Sequence, residues 1–222
     1  MKTAVDKTSE IYLSNRESML ERVSDLASEH AKALLGGGEK YVERHHKRGK
    51  LTARERIELL IDPDSPFLEL SSLAAWGTDF TVGASIITGI GVVEGVECMI
   101  VANDPTVRGG ASNPATLKKG HRAAQIAAEC GLPTVNLVES GGADLPTQKD
   151  IFIPGGASFR NITRASAARR PTVALVFGNS TAGGAYIPGM SDYVVMVEEG
   201  AKVFLAGQPL VKMATGEESD DE

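Results

Sequence analysis

Over residues 9–35 apolar side chains recur at helical spacing. Leu13, Leu20, Val23, Ala27, Ala31 and Leu34 share one face, and Gly36-Gly37-Gly38 ends the run. Thr52-Ala53-Arg54-Glu55 is a capping-box pattern that opens a shorter helix through Ile57, Leu60 and Ile61. Asp62-Pro63-Asp64-Ser65-Pro66 stops that helix in a turn. Beyond Phe67 the period changes. Residues 67–70, 85–93 and 97–102 read as strands. Asn113 then caps a helix with Pro114 at its first position, running to about Cys130. Strand 134–138, helix 158–168 and strand 172–177 follow, then a short helix near Ala182, strands 193–197 and 203–205, and a helix-like segment over 208–215. Strands alternating with helices predict an α/β fold with a mainly parallel sheet and ligands at the carboxyl ends of its strands. Residues 1–66 read as an N-terminal helical extension that packs on a neighbour, and 67–222 as the α/β domain. The last strand has no closing partner in the sequence. A domain incomplete at its C-terminal end is therefore preferred to one closed by the acidic run 217–222.

Composition narrows the class. Apolar residues at 42% and charged ones at 23% are ordinary globular values that permit a sizeable core. The 24 glycines among 222 residues exceed the average of roughly 7% and cluster at the ends of apolar runs, where a chain turns tightly or approaches a ligand. A net charge of −6 argues against a nucleic-acid binder; the one dense basic tract, 44–50, leads into a helix signal and reads as a solvated helix end. Cys98 and Cys130 form no Cys-x-x-Cys pair, which excludes a zinc ribbon, and their apolar neighbours suggest two buried structural thiols. Residues 1–12 are polar, and no apolar run approaches the roughly 20 residues of a membrane span. The expectation is a soluble, cytoplasmic protein.

Two glycine-rich turns follow buried strands: Val138-Glu139-Ser140-Gly141-Gly142-Ala143, and Gly178-Asn179-Ser180-Thr181-Ala182-Gly183-Gly184-Ala185. Small residues let a ligand touch the main chain, and free N–H groups at a helix start point their positive ends outward. That is the construction of an oxyanion hole. Helix starts with Gly for close packing are the alternative, but two such turns behind matching strands favour ligand donors. Gly89-Ile90-Gly91-Val92-Val93-Glu94-Gly95 superficially suggests a dinucleotide loop, yet a strand follows it where a helix should open, so a hairpin is expected. The loop containing Arg108, Gly109 and Gly110 leads into a helix bearing Lys118, Lys119, His121 and Arg122. That basic group suits a phosphorylated ligand, or equally a solvated helix face. Ser140 and Ser180 lie outside any Gly-x-Ser-x-Gly, and His121 is the only candidate base near them in sequence. Metal-ligand spacing is absent, and His45-His46 sits on the basic tract.

Longer words carry a resemblance. A His-x-x-Arg-Gly-Lys-Leu pattern at 45–51, together with 62–70, 101–111, 138–145, 178–192, Phe204-Leu205-Ala206-Gly207, Leu210-Val211-Lys212 and Thr215-Gly216-Glu217, occurs in order. The chain from about Gly36 onward resembles the beta, or carboxyltransferase, subunits of biotin-dependent acyl-CoA carboxylases. Ser140-Gly141-Gly142-Ala143 with Leu145-Pro146 and Gln148, and Thr181-Ala182-Gly183-Gly184-Ala185-Tyr186, look closer to the methylcrotonyl-CoA branch than to the propionyl-CoA branch. Two departures stand out: the family's subunits carry two crotonase-like domains and this chain covers the first, and the zinc ribbon of acetyl-CoA-type subunits is missing.

The resemblance implies a crotonase-like fold of repeated β-β-α units preceded by an N-terminal helical segment. It implies acyl-CoA bound by this domain, with biotin entering, as carboxybiotin, from the second domain of a partner subunit. Released CO2 would be attacked by an enolate, formed at the α-carbon or at the vinylogous γ-carbon of an unsaturated acyl group, with no protein base and no metal. Backbone N–H groups of Gly141 and Gly142 are the expected donors to the thioester enolate, and those of Gly183 and Gly184 the second choice. Arg108, Gly109, Gly110, Lys118, Ala143 and Ala182 are expected to line the substrate. Implied partners are a biotin-carboxylase and biotin-carrier alpha subunit and further beta subunits in a hexamer. Two alternatives stay open: a crotonase-type hydratase or isomerase using Glu139 or Asp144 as base, and a truncated, non-catalytic assembly subunit.

Overall fold

The computed structural model describes residues 3–218; the first two residues of the polar N-terminus and the last four of the acidic run lie outside the described residues. Helix α1 (Glu10–Leu34) starts at Ser9, whose hydroxyl accepts from the Tyr12 N–H, and buries only Ala33. Leu13, Leu20, Val23 and Leu26 stand about half exposed. The glycine turn then lays the chain against the 104–107 loop. Gly37 N–H donates to Thr106 Oγ1 at 3.0 Å, and a Cβ at Gly37 would strike the Thr106 carbonyl. Helix α2 (Glu39–His46) follows, then α3 (Ala53–Leu60), whose capping box is closed both ways. Thr52 Oγ1 accepts from Glu55 N–H, and the Glu55 carboxylate accepts from Thr52 N–H at 2.7 Å.

The sheet runs β1 (Leu68–Leu70), β2 (Ile86–Val93), β3 (Val96–Asn103), β4 (Thr134–Ser140), β5 (Thr172–Thr181), β6 (Tyr193–Met196), with β7 (Lys202–Phe204) beside the far end of β5. The first three strands pair antiparallel, and from β3 onward the pairing is parallel. Between β2 and β3 the chain reverses at Glu94-Gly95, both at positive φ, and the Asp62 carboxylate accepts both of their N–H groups. This is the hairpin expected in place of a dinucleotide loop. Gly89 and Gly91 lie inside β2, where the Phe67 ring and the Ile61 side chain occupy the space of a Cβ.

Helices α4 (Pro114–Cys130), α5 (Gln148–Ala167), α6 (Tyr186–Met190) and α7 (Gln208–Thr215) complete the chain, and the β-β-α order recurs at β2–β3–α4 and β6–β7–α7. Strand β3 shows how the core divides. Cys98, Ile100 and Ala102 face α3 and pack with Ala53, Ile57, Ile87 and Leu137, while Met99 faces α4 and packs with Ala123, Ala127 and Leu132. Each such large side chain, fully buried, contributes roughly 1.5–3 kcal/mol. So α3, although part of the helical N-terminal region, lies on the sheet.

Three details depart from the sequence reading. Helix α5 begins at Gln148, not at 158, and carries Pro154-Gly155-Gly156 inside it. Residues 39–46 form α2, a helix the sequence did not predict; the basic tract 44–50 starts at its end, but His45, expected on the surface, is buried. Cys130 is exposed on the last turn of α4; Cys98 alone is a core thiol, and burial pushes it above the ordinary thiol pKa.

Candidate active site at the carboxyl ends of the parallel strands

Because β3, β4 and β5 are parallel, the loops after them meet at one edge of the sheet. They interlock. Arg108, Gly109 and Gly110 take three successive positive φ values (48°, 66° and 73°), and a Cβ at Gly110 would press on the Glu139 carbonyl. This tight left-handed turn brings residues 109–112 alongside the turn after β4. Gly141 N–H donates to Gly109 O (2.9 Å), Ser112 N–H to Gly142 O (2.8 Å), and Asp144 N–H to Ser112 O (2.8 Å). The Ser140 hydroxyl donates to Gly110 O and accepts from Gly142 N–H, each at 3.2 Å. Arg108 Nη1 donates to Asp144 Oδ1 at 2.9 Å.

Gly141 and Gly142, the donors expected first, carry intrachain hydrogen bonds. Their N–H groups donate to Gly109 O and Ser140 Oγ and tie this turn to the loop after β3. The turn after β5 is different. Residues Ala182–Ala185 form a short 3₁₀ segment with no side-chain cap from Thr181. In such a segment each N–H bonds the carbonyl three residues back, so Gly184 begins the ladder and the N–H of Gly183 has no acceptor within it. Gly183 is exposed, and Ala182 holds φ 53°, a left-handed conformation that costs a non-glycine residue on the order of 1–3 kcal/mol. The two turns touch: a Cβ at Gly142 would lie 3.2 Å from Thr181 O, and one at Gly184 3.4 Å from Ser140 Oγ. The Ser180 hydroxyl donates to Gly184 O, so both serines are spent on structure.

The nearby carboxylates are spent as well. Glu139, 8% exposed, lies between Lys50 Nζ (2.6 Å) and Arg56 Nη2 (2.7 Å), and Asp144 accepts from Arg108 and from the Thr147 hydroxyl. His45 Nε2 is 3.1 Å from Leu51 O and 3.3 Å from Arg56 Nη2, contacts that a single ring nitrogen serves one at a time. Burial, against the opposing charge of Glu139, holds this histidine below its ordinary pKa.

The basic residues of α4 do not gather on one face of the helix. Lys119 is buried and donates to Gly83 O at 3.0 Å, His121 contacts the Ser158 hydroxyl, and Lys118 and Arg122 are exposed on another side of the helix. Four basic residues within five positions of a helix spread around its circumference, so sequence proximity overstated their convergence. Among the described residues no three His, Cys, Asp or Glu side chains come together as a metal cluster, and no helix is long and apolar enough to cross a membrane. A cavity of about 500 Å³ lies away from the glycine turns, between the end of α1, α2 and α3. Lys50 and Arg56, set aside in the sequence as part of a solvated helix end and a helix interior, reach the base of the site. The signal was the 45–51 word itself, whose lysine stands next to the capping box.

Residues 44–222 match the carboxyl transferase domain, and the chain belongs to that family. It is 68% identical over its whole length to the probable biotin-dependent acyl-coenzyme A carboxylase beta2 subunit of Mycobacterium tuberculosis, of which it covers 42%. It is 50% identical, over 96% of the chain and 38% of the relative, to the probable mitochondrial methylcrotonoyl-CoA carboxylase beta chain of Drosophila melanogaster. Among solved structures, the geranyl-CoA carboxylase beta subunit of P. aeruginosa superposes with a TM-score of 0.90 at 44% identity, covering 100% of this chain and 41% of that one. The fold is therefore crotonase-like, and the chain spans about two fifths of the length of these relatives.

Proposed function

We propose that this chain supplies the acyl-CoA side of the carboxyltransferase site in a biotin-dependent acyl-CoA carboxylase. The observation that carries the reading is the contrast between an open backbone turn at Ala182, Gly183 and Gly184 and the locked carboxylates beside it. A hydratase or isomerase needs a free acid or base there, and Glu139 and Asp144 are both held in ion pairs. A carboxyl transfer from biotin needs donors to an enolate and little else from the protein.

The N–H group of Gly183 is assigned to the thioester oxygen, where negative charge develops as the enolate forms, with Gly184 behind it fixing the turn. Gly141 and Gly142, with Ala143, fix that turn from below, and the small side chain of Ala182 leaves room for the thioester. Arg108, whose side chain is 59% exposed beyond its bond to Asp144, turns further guanidinium donors toward solvent. With Gly109, Gly110 and the exposed Lys118 it would meet the CoA phosphates. Biotin, when bound, supplies the activated CO2 and the base for the carbon acid. The biotin-bearing alpha subunit and a hexamer of beta subunits are the partners this assignment requires, in the cytoplasm, with 1–66 as an extension to the 67–222 domain. The named relatives favour a branched, unsaturated acyl group of the methylcrotonyl type as substrate.

The test uses the full-length enzyme with its biotin-bearing subunit, 3-methylcrotonyl-CoA and labelled bicarbonate. Gly183→Val should lower kcat on the order of 10²-fold by displacing the acyl thioester from its donor. Ser140→Ala should cost far less. Dead Ser140→Ala beside near-normal Gly183→Val would overturn the assignment, as would enoyl-CoA hydration in place of carboxyl transfer.

A further inference from the structure

The pairing of β4 with β5 breaks where the site begins. Val138 pairs with Val176 and Ser140 with Ser180, so that Phe177, Gly178 and Asn179 all bulge opposite the single residue Glu139. Before the bulge Val173–Val176 of β5 pair with β6; from its last residue, Asn179, through Thr181 β5 pairs with β7. Such bulges bend a strand and re-aim the residues beyond the bend. Here the re-aimed segment leads directly into Ala182, Gly183 and Gly184.

The Glu139 carboxylate fills the bulge. A Cβ at Gly178 would lie 2.7 Å from it. Lys50 Nζ, besides its 2.6 Å contact to Glu139, donates to Phe177 O at 3.4 Å, and the Arg56 guanidinium lies over the Phe177 ring, 4.4 Å from its centroid. The main chain of Glu139 is fixed too: its N–H donates to Asn103 Oδ1, and Gly110 packs on its carbonyl. An ion cluster formed by Lys50 of the α2–α3 connection and Arg56 of α3 thus bridges the ends of β3, β4 and β5. Burying it is expensive. Arg56 Nη1 has no hydrogen-bond partner, and apolar side chains of similar volume commonly stabilise as well as a buried ion pair. Stability alone does not account for the cluster.

We propose that Glu139 is a positioning residue. Clamped by Lys50 and Arg56, it holds the β5 bulge and so sets where the Ala182–Gly184 turn and its Gly183 donor stand relative to the Gly142 turn. Its effect on turnover rests on the carboxyltransferase reading above; its effect on the bulge does not.

Three variants of the full-length enzyme, assembled with its biotin-bearing subunit, test this. Glu139→Gln and Lys50→Met should lower kcat on the order of 10²-fold while the KM for acyl-CoA stays within about twofold, because a misplaced donor costs turnover and not ground-state binding. Lys50→Arg keeps the charge and should restore most of the rate. In ligand-free protein, amides of 178–186 should exchange faster in Lys50→Met than in the wild type, with those of α4 unchanged. Turnover within about twofold of wild type in Lys50→Met, a KM rise accounting for the whole loss, or equal damage from Lys50→Arg and Lys50→Met would overturn the proposal. Should Glu139→Gln fail to assemble, the Lys50 pair decides, since that side chain is one-third exposed. A wild-type enzyme without carboxyl transfer would sink the assigned activity alone, and the exchange of 178–186 would still judge the clamp.

Discussion

Lys119 is a cation buried at 3% exposure, with the Gly83 carbonyl as hydrogen-bond acceptor. Burial pushes it from 10.5 down to about 8, against the attraction of Glu69 and Asp104. Below about pH 8 both folded and unfolded chains carry the proton, and the desolvation cost is fully present. Between about 8 and 10.5 the unfolded chain binds more protons, so the contribution of this group to stability rises with pH. Wild type should therefore gain on Lys119→Met as pH increases through that window, by up to a few kcal/mol at roughly 1.4 per pKa unit. Denaturant titrations of both proteins, at steps of roughly one pH unit across the window, measure it. A gap that stays constant, or one that moves the other way, refutes the shift. The sequence showed Lys119 as a basic residue available to a phosphate; its fate depended on Gly83, a loop residue far along the chain. The glycine turns teach the same lesson. Small residues at the ends of buried strands marked the candidate site, but whether the Gly141 and Gly142 N–H groups are free is decided by Gly109 and Ser140 packing against them.

Elements were legible where a local signal stood on its own residues. Thr52 with Glu55, Asn113 with Pro114, and Glu94-Gly95 between two strands each carry their own instruction, and each element begins or turns where that instruction lies. Helix α2 was missed because its eight residues are mostly polar and only His45 becomes buried. The first turns of α5 were missed because Pro154-Gly155-Gly156 normally breaks a helix; Ile151 alone anchors it in the core. The capping box is the element-scale feature most open to test. Thr52→Ala removes the acceptor for Glu55 N–H and loosens the helix that carries Arg56, and should cost about 1 kcal/mol. Chemical denaturation should show that loss with an unchanged m-value. A neutral result would mean that packing of Ala53 and Ile57 fixes α3 without its cap.

At the scale of the molecule the apolar surface is unevenly covered. Strand β6 is exposed along its whole length, with Tyr193 69% and Val195 61% accessible. On α5, Phe152 and Ile153 stand in solvent, and α1 leaves most of its apolar face without a partner. Isolated exposed apolar residues are normal, but an exposed sheet edge of five successive apolar residues (193–197) offers both unpaired backbone groups and side chains to any neighbour. Relatives more than twice as long have additional chain with which to cover such surfaces. The 222-residue chain expressed alone should therefore self-associate. It should elute in size exclusion well above its 23.4 kDa mass, or bind a hydrophobic dye strongly while retaining helical and sheet signals in circular dichroism. Val195→Lys, placing a charge on the open edge, should reduce association without unfolding the protein, because this residue is outside the buried core. A monodisperse 23.4 kDa monomer that ignores the dye would show that these surfaces are tolerated in water, and the expectation that they await further protein would fall.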